Sequence, residues 1–365
     1  MNADILSMQR INNFGSLLQA YALKRNLESL GYDVAFMDIK RIDDDYRLLG
    51  EFTLDYSLER ETTGLKGKIK KIDRYTLNRL HNRKLEPIQD EVFQNFRDQV
   101  LAIQKQHETI DLCVIGSDEV FNCLNAGAWG FTSQLFGNIP EAKRIITYAA
   151  SCGATTYEKL PEEVKSVIRQ SFQHIEQFSV RDQNTLEFVS KLSNRKVLRN
   201  VDPVFTWDFT DEMKSVMMPQ VPSRYCLVYS YRNRIHEYAE IKNILLFCKN
   251  NNLRPIAVGA PQFWIKDFVV CTPFQCLKLF QNASFVITDT FHGTVFSLLF
   301  SEKFATIVRE SNRNKLSDLL NLFGAMEHQL NEITDIYNLL YKPKSSAVAS
   351  QIEIERLKAL EYLKG

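Results

Sequence analysis

The stretch that most constrains this chain is VITDTFHGTVFSLLF, Val286 to Phe300. With Phe285 it opens as a short apolar run, breaks at Thr288-Asp289-Thr290, and restarts at Gly293 with helical spacing through Val295, Leu298 and Leu299. That pattern predicts a strand, a tight turn and a helix, with Phe291-His292-Gly293 on the turn. Backbone N–H groups at a helix start are unpaired and carry the positive end of the dipole, so such a turn suits an anion. A histidine side chain can exchange a proton near neutral pH, which makes His292 a candidate acid or base, with Asp289 beside it. The same residues allow a plainer account, in which Asp289 or Thr290 caps the helix and His292 is a satisfied packing group. Spacing alone leaves both open.

The chain begins with the same alternation. Asp4–Met8 reads as a strand, Asn12–Ser16 as a turn, and the following residues as a helix with Leu17, Leu18, Tyr21, Ala22 and Leu27 inward. Gly31 stands where a left-handed cap ends such a helix, and Tyr32–Ile39 is a second strand. A βαβ opening predicts a parallel sheet covered by helices, an α/β fold. Ligands of open α/β sheets bind at the carboxyl ends of the strands, which singles out Asn13, Gly15 and Ser16. The loop is not a GxGxxG, so nothing favours a dinucleotide. Strand 111–117 exposes Gly116, Ser117 and Asp118 at its end, and strand 177–182 closes on Arg181. A guanidinium there grips a carboxylate or phosphate through two parallel hydrogen bonds, or pairs with Asp182 or another neighbouring acid. Cys152, on a Gly-flanked loop with no histidine paired to it, reads as packing rather than as a nucleophile.

With 365 residues, the chain exceeds what one hydrophobic core usually organises. The boundary falls at Asn200–Pro203, where proline biases Asp202 away from helix. The expected division is an α/β domain over 1–203, with a variable insertion at about 41–87 on the acceptor side. A second α/β domain covers 204–345, and a helix over 346–365 packs back on the first. In the insertion, Lys66, Lys68, Lys70, Lys71, Arg74, Arg79, Arg83 and Lys84 form a basic run with apolar residues at near-helical intervals. It is read first as a solvated helix and second as a surface approaching anionic membrane or a lipid-linked acceptor. A net charge of +1 argues against a nucleic-acid partner. The seven cysteines are scattered singly, with no leader at the start, so a reducing cytoplasm is expected. Cys271 and Cys276 lack histidines at zinc spacing, and no metal is expected.

Several stretches together resemble the polysaccharide pyruvyl transferase family: NNFGSLLQAYALKRNLESLGYDV, DLCVIGSDEVFN, YAASCG, SVRD, Asp202-Pro203, ITDTFHGTVFSLLF and NKLSDLLNLFG. They run in that family's order from Asn12 to Gly324. The resemblance implies two Rossmann-like domains facing across a cleft, a glycosyltransferase-B-like arrangement. It also implies phosphoenolpyruvate as the donor substrate and no further cofactor. The product is a cyclic pyruvate ketal on a sugar of a surface polysaccharide, whose acceptor is a glycan or a lipid-linked or nucleotide-linked sugar. Place of work is then the cytoplasm, at or near the inner face of the membrane. The family's histidine carries over onto His292, as the general acid/base supported by Asp289 or Asp118, and its anion-gripping arginine onto Arg181. A relative with a described site has arginine where this chain has Thr290; Arg309, Arg313 and Lys315 are the candidates to replace it. Two rivals stand beside this reading: a sugar-nucleotide glycosyltransferase on the same scaffold, and a non-catalytic glycan- or phosphate-binding subunit.

Overall fold

The computed structural model describes residues 1–49, 75–125, 127 and 129–365. In the first half, strands β1 (Asn2–Leu6), β2 (Asp33–Met37), β3 (Ile110–Ile115) and β4 (Ala142–Thr147) form a parallel sheet in the order β2-β1-β3-β4. A two-stranded parallel pair, β5 (Phe178–Val180) and β6 (Val197–Arg199), is joined to its edge by the bridges Ile146–Gln177 and Ala150–Val180. The covering helices are α1 (Phe14–Ser29), α2 (Asp43–Leu49), α3 (Thr76–Phe96), α4 (Glu162–Phe172) and α5 (Gln183–Leu192).

β1 lies two residues earlier than the apolar pattern at Asp4–Met8 predicts. Its ladder ends where Leu6 pairs with Met37 and Ile115, and Ser7 instead turns its hydroxyl to the carbonyl of Ser117 at 3.1 Å. The strand therefore stops where the site begins.

The second half begins with the short helix α6 (Thr210–Ser215). It holds a six-stranded parallel sheet in the order β12-β11-β10-β7-β8-β9, built from β7 (Tyr225–Tyr229), β8 (Arg254–Val258), β9 (Asp267–Phe268), β10 (Phe285–Thr288), β11 (Phe304–Ile307) and β12 (Gln329–Leu330). The crossovers carry α7 (Tyr238–Asn250), α8 (Pro273–Asn282), α9 (Phe291–Phe300) and α10 (Arg313–Leu322), and α11 (Ile336–Leu339) follows β12. Local chemistry sets these boundaries. At α8, Thr272 and Gln275 form a reciprocal capping box with Pro273 in the first turn. At α1, Gly31 takes φ +88° just past the last turn.

One continuous core spans both halves. α1 is buried on nearly every side, because one face meets the first sheet and the other meets α8 and α9. Phe14 packs edge-on against Phe93 at 4.8 Å, and Tyr21 against Phe274 at 5.0 Å. α3 belongs to the first half by sequence, yet it docks on the second. Asn82 donates to the carbonyl of Ile265 at 3.3 Å, and Gln89 exchanges two hydrogen bonds of 3.0 Å with the Cys271 backbone. Within the expected insertion at 41–87 the described residues carry α2 and the start of α3, which runs past Pro87 to Phe96. The insertion's lysines from Lys66 to Lys71, and Arg74, lie outside the described residues. The final helix, α12 (Ser346–Lys364), returns to the first sheet, where the Tyr362 hydroxyl donates to Thr147 O at 2.8 Å. Among the described residues, no helix is long and apolar enough to cross a membrane.

Candidate active site

The carboxyl ends of β1, β3, β5, β7 and β10 bring one group of polar side chains together between the halves, centred on Asp202. This carboxylate is fully shielded, and its Oδ1 caps the Pro203–Phe205 turn by accepting from Val204 N at 3.1 Å. Its Oδ2 accepts from Arg181 Nη1 at 2.9 Å and lies 3.4 Å from both Ser117 Oγ and His292 Nε2. Burial alone would raise the Asp202 pKa. The His292 imidazole and the Arg181 guanidinium outweigh it and hold the carboxyl at about 2. Asp202 therefore stays ionised and links the two groups.

His292 stands in the first turn of α9, 8 % exposed and thus recessed rather than at an open mouth. It lies against the first turn of α1, where a β-carbon on Gly15 would come within 2.1 Å of its Nδ1. Only glycine lets the helix and the imidazole approach this closely. Arg181 ends β5 and its guanidinium lies over the Phe291 ring at 4.0 Å. Among the described residues, Arg181 Nε is buried without a hydrogen-bond partner. Unsatisfied buried donors of this kind are rare and costly, and this one flanks the carboxylate that His292 Nε2 also faces.

The other expected residues have definite places. Asn13 caps α1, accepting from Ser16 N at 2.8 Å, and the Ser16 hydroxyl donates to Asp118 Oδ2 at 2.6 Å. Asp118 occupies left-handed backbone at φ +74° after Gly116 at φ +123°, an uncommon conformation outside glycine. A β-carbon on Gly116 would strike the Tyr148 carbonyl at 2.2 Å. Thr290 caps α9: its hydroxyl accepts from Gly293 N at 2.9 Å. That N–H, read from sequence as open to an anion, is spent within the turn. A β-carbon on Gly293 would meet Thr288 Oγ1 at 2.0 Å, so its glycine serves packing.

The three candidates for the second cation separate. Arg309 is held by Glu240 through bonds of 2.6 and 3.1 Å, with Nε 3.7 Å from Asp289 Oδ2. Arg313 is half exposed and pairs with Glu310 at 3.5 Å. Lys315 reaches across the halves to Glu119 at 2.5 Å. Burial would raise the Glu119 pKa, but the Lys315 ammonium and the hydrogen bonds from Lys315 and Asn122 keep it below the ordinary carboxylate range. Glu119 follows Asp118 on the β3 loop, and its charge also acts on Arg181.

Asp289 is fully buried at the end of β10, 3.6 Å from Arg234 Nε. Among the described residues neither of its carboxylate oxygens has a hydrogen-bond partner. Here burial wins over Arg234 and Arg309, and the carboxyl pKa is raised. Cys152 is fully buried, its thiol pushed up by desolvation, as a packing residue would be. Among the described residues, no group of three or more His, Cys, Asp and Glu could hold a metal ion.

Asp202, Glu119 and Arg234 are the members that sequence reading did not name for the site. In the sequence, Asp202 stands out as the residue before Pro203 at a boundary and in one of the stretches that carry the family resemblance, and nothing local marks it as the meeting point of Arg181 and His292.

These features define a class: two parallel α/β halves that share a core, with an arginine, a carboxylate and a histidine meeting between them at the strand ends. The sequence profile of the family Polysaccharide pyruvyl transferase matches residues 13–311. The chain belongs to that family. No curated protein matches it in sequence. Among solved structures, the UDP-GlcNAc 2-epimerase from Methanocaldococcus jannaschii is 10% identical, with 99% of each chain covered and a TM-score of 0.46. A spinosyn rhamnosyltransferase complexed with spinosyn aglycone is 9% identical, covering 99% of this chain and 96% of its own, with a TM-score of 0.44.

Proposed function

We propose that the protein transfers pyruvate from phosphoenolpyruvate onto a sugar of a surface or exopolysaccharide, or its precursor, as a cyclic ketal, with release of phosphate. The observation that carries this reading is the meeting of Arg181 and His292 on Asp202 Oδ2, at 2.9 and 3.4 Å, with Arg181 Nε buried and left without a partner among the described residues. Phosphoenolpyruvate presents a carboxylate and a phosphate, and a planar guanidinium with a spare N–H suits either.

The chemistry needs a proton delivered to the methylene carbon and charge held at the central carbon. Protonated His292, oriented by Asp202, gives its proton to that carbon, which becomes a methyl group. A first sugar hydroxyl bonds to the central carbon and returns its proton to His292. A second hydroxyl then bonds there as the carbon–oxygen bond to phosphate breaks, and its proton leaves with the phosphate. Two carbon–oxygen bonds form, one breaks, and the imidazole ends as it began. Arg181 holds the anionic donor throughout.

The test is incubation with phosphoenolpyruvate and a panel of sugar acceptors, following phosphate release and the mass of the acceptor. Release of phosphate coupled to a pyruvate ketal on the acceptor, abolished in a folded His292→Gln variant, is the expected result. Sugar transfer from a nucleotide donor without consumption of phosphoenolpyruvate would overturn the reading in favour of a glycosyltransferase. Tight glycan or phosphate binding with no turnover would overturn it in favour of a binding subunit.

A further inference from the structure

The loop that follows β7 presents an aromatic ring beside the candidate site. β7 and β10 are hydrogen-bonded neighbours with Tyr229 in register with Thr288, so the residues after Tyr229 start level with Asp289. Ser230 is buried, but Tyr231 is 52% exposed. Gln262, fully buried, donates to the carbonyls of Ser230 and Tyr231 at 3.2 and 3.3 Å. Arg234 N donates to Tyr231 O at 3.2 Å and closes a turn in which Asn233 takes φ +58°. The turn folds the Arg234 guanidinium back over the Tyr231 ring, 5.5 Å from its centre, with Nε 3.6 Å from Asp289 Oδ2. The backbone that carries the ring is thus fixed while about half of the side chain stays open, which is the preorganised state a binding platform needs.

Both halves of the protein surround this ring. Desolvation of the hydroxyl and the charges of Asp118 and Glu119, on the β3 loop of the first half, push the Tyr231 pKa up to about 12, so the phenol stays a hydrogen-bond donor. The same two carboxylates act on Arg181, which sets them between the anion grip and the ring. Asp118 accepts one bond on each oxygen, from Ser16 Oγ and Glu119 N, and a carboxylate oxygen has room for a second. Among the described residues neither Asp289 oxygen nor Arg309 Nε has a hydrogen-bond partner. An open ring bordered by carboxylates and guanidinium N–H groups suits a neutral sugar, whose C–H face lies on the ring while its hydroxyls donate and accept around it. A nucleobase would stack as well, but the carboxylates repel the phosphates it carries.

We propose that the Tyr231 ring is the platform on which the acceptor sugar stacks, between the β7 and β3 loops. The inference rests on the transferase reading for the sugar's part in the reaction, not for its binding. Anion and sugar then occupy different parts of one site, the anion at Arg181 and His292 and the sugar at Tyr231 and Asp118.

The test applies saturation-transfer NMR with the methyl glycosides of galactose, glucose, mannose and N-acetylmannosamine, and calorimetry with phosphoenolpyruvate, to the full chain. The proteins are the parent, Tyr231→Ala, Tyr231→Phe and Tyr231→Trp. The side chain is half exposed, so the variants are expected to fold, and melting curves verify this. At least one glycoside should bind the parent, with transfer strongest at the ring protons of one sugar face. Its affinity should fall about tenfold or more in Tyr231→Ala and stay within about threefold in Tyr231→Phe, while phosphoenolpyruvate affinity holds. In Tyr231→Trp the added indole fluorescence should change when the glycoside binds, which decides the matter even if the alanine variant does not fold. Four results overturn the platform: no glycoside bound by the parent, equal binding by parent and Tyr231→Ala, phosphoenolpyruvate lost in step with the sugar, or an unchanged indole signal. Uridine that binds through the ring where no glycoside does also overturns it, in favour of a nucleobase. If a glycoside follows the ring but phosphoenolpyruvate neither binds nor is consumed, the transferase reading fails alone. If pyruvate transfer proceeds and Tyr231→Ala leaves the acceptor KM unchanged, the platform fails alone.

Discussion

Gly15 and His292 touch across the two halves of the protein: a single added carbon on Gly15 would sit 2.1 Å from the imidazole Nδ1 and 2.7 Å from the histidine Cβ. The first turn of α1 is therefore the floor on which the imidazole rests, and it sets where Nε2 points. Gly15→Ala should push the ring off Asp202. Misplacement of this size typically costs about 10²-fold in turnover, against a stability loss of about 1–3 kcal/mol from overpacking. Phosphate release from phosphoenolpyruvate, measured beside a thermal melt, checks it. Unchanged turnover would show that the contact does not position the reacting group.

Asp202 and Asp289 should respond to pH in opposite directions. The Asp202 carboxyl is depressed to about 2 from 3.8, so its stabilisation is present above the unfolded value and lost as pH falls from about 4 towards 2. The loss amounts to roughly 2 kcal/mol. An Asp202→Asn variant should be less stable at neutral pH by about 3–5 kcal/mol, because it leaves Arg181 buried without its partner. Its acid unfolding should also be flatter across that window. Denaturant melts from pH 7 to pH 2 decide the matter, and parallel curves for the two proteins would refute it.

For Asp289 the raised pKa means that the folded state disfavours the ionised form. That preference contributes stability below the unfolded value, and it is lost as pH rises through the folded one. A neutral isostere escapes this loss, so Asp289→Asn should melt above the parent at pH 8, with the difference closing as the pH drops through the carboxylate range. A lower melting point at pH 8 would mean that Arg234 and Arg309 outweigh burial.

Lys315 and Glu119 form an ion pair between the halves, with side chains 16% and 37% exposed. A double-mutant cycle with Lys315→Met and Glu119→Gln should give a coupling of about 1 kcal/mol that shrinks with added salt, as expected of a partly exposed pair. Phosphoenolpyruvate affinity in Lys315→Met also shows whether this lysine supplies the cation that Thr290 does not. A drop of about tenfold or more assigns it that role. Unchanged affinity leaves the role with Arg181 alone.

The strands and helices near the site were legible because their signals are local. The break at Thr288–Thr290 and the restart at Gly293 placed β10 and α9 within a residue or two, and Thr290 is the cap that the plainer account offered. The same local logic misassigned β1, since Ser7 and Met8 continue its apolar pattern while the ladder ends at Leu6. It also missed β6, β9 and β12, which are two or three residues long and exist only because a neighbouring strand offers them partners. α3 was split between an insertion and a domain because its docking on Cys271 and Ile265 is invisible along the chain.

By itself, the sequence determined that the chain alternates strand and helix, that its strand-end loops are polar, and that His292 and Arg181 each sit on one of them. Periodicity and capping act within a few residues, so one strand of text is enough to express them. Only the tertiary structure decided that Asp202 joins these two groups, that Gly15 supports the imidazole, and that α3 brings its arginines to the second half. Those relationships depend on how two sheets pack against a shared helix, and burial changes the energy of a charge only after the distant parts of the chain have closed around it.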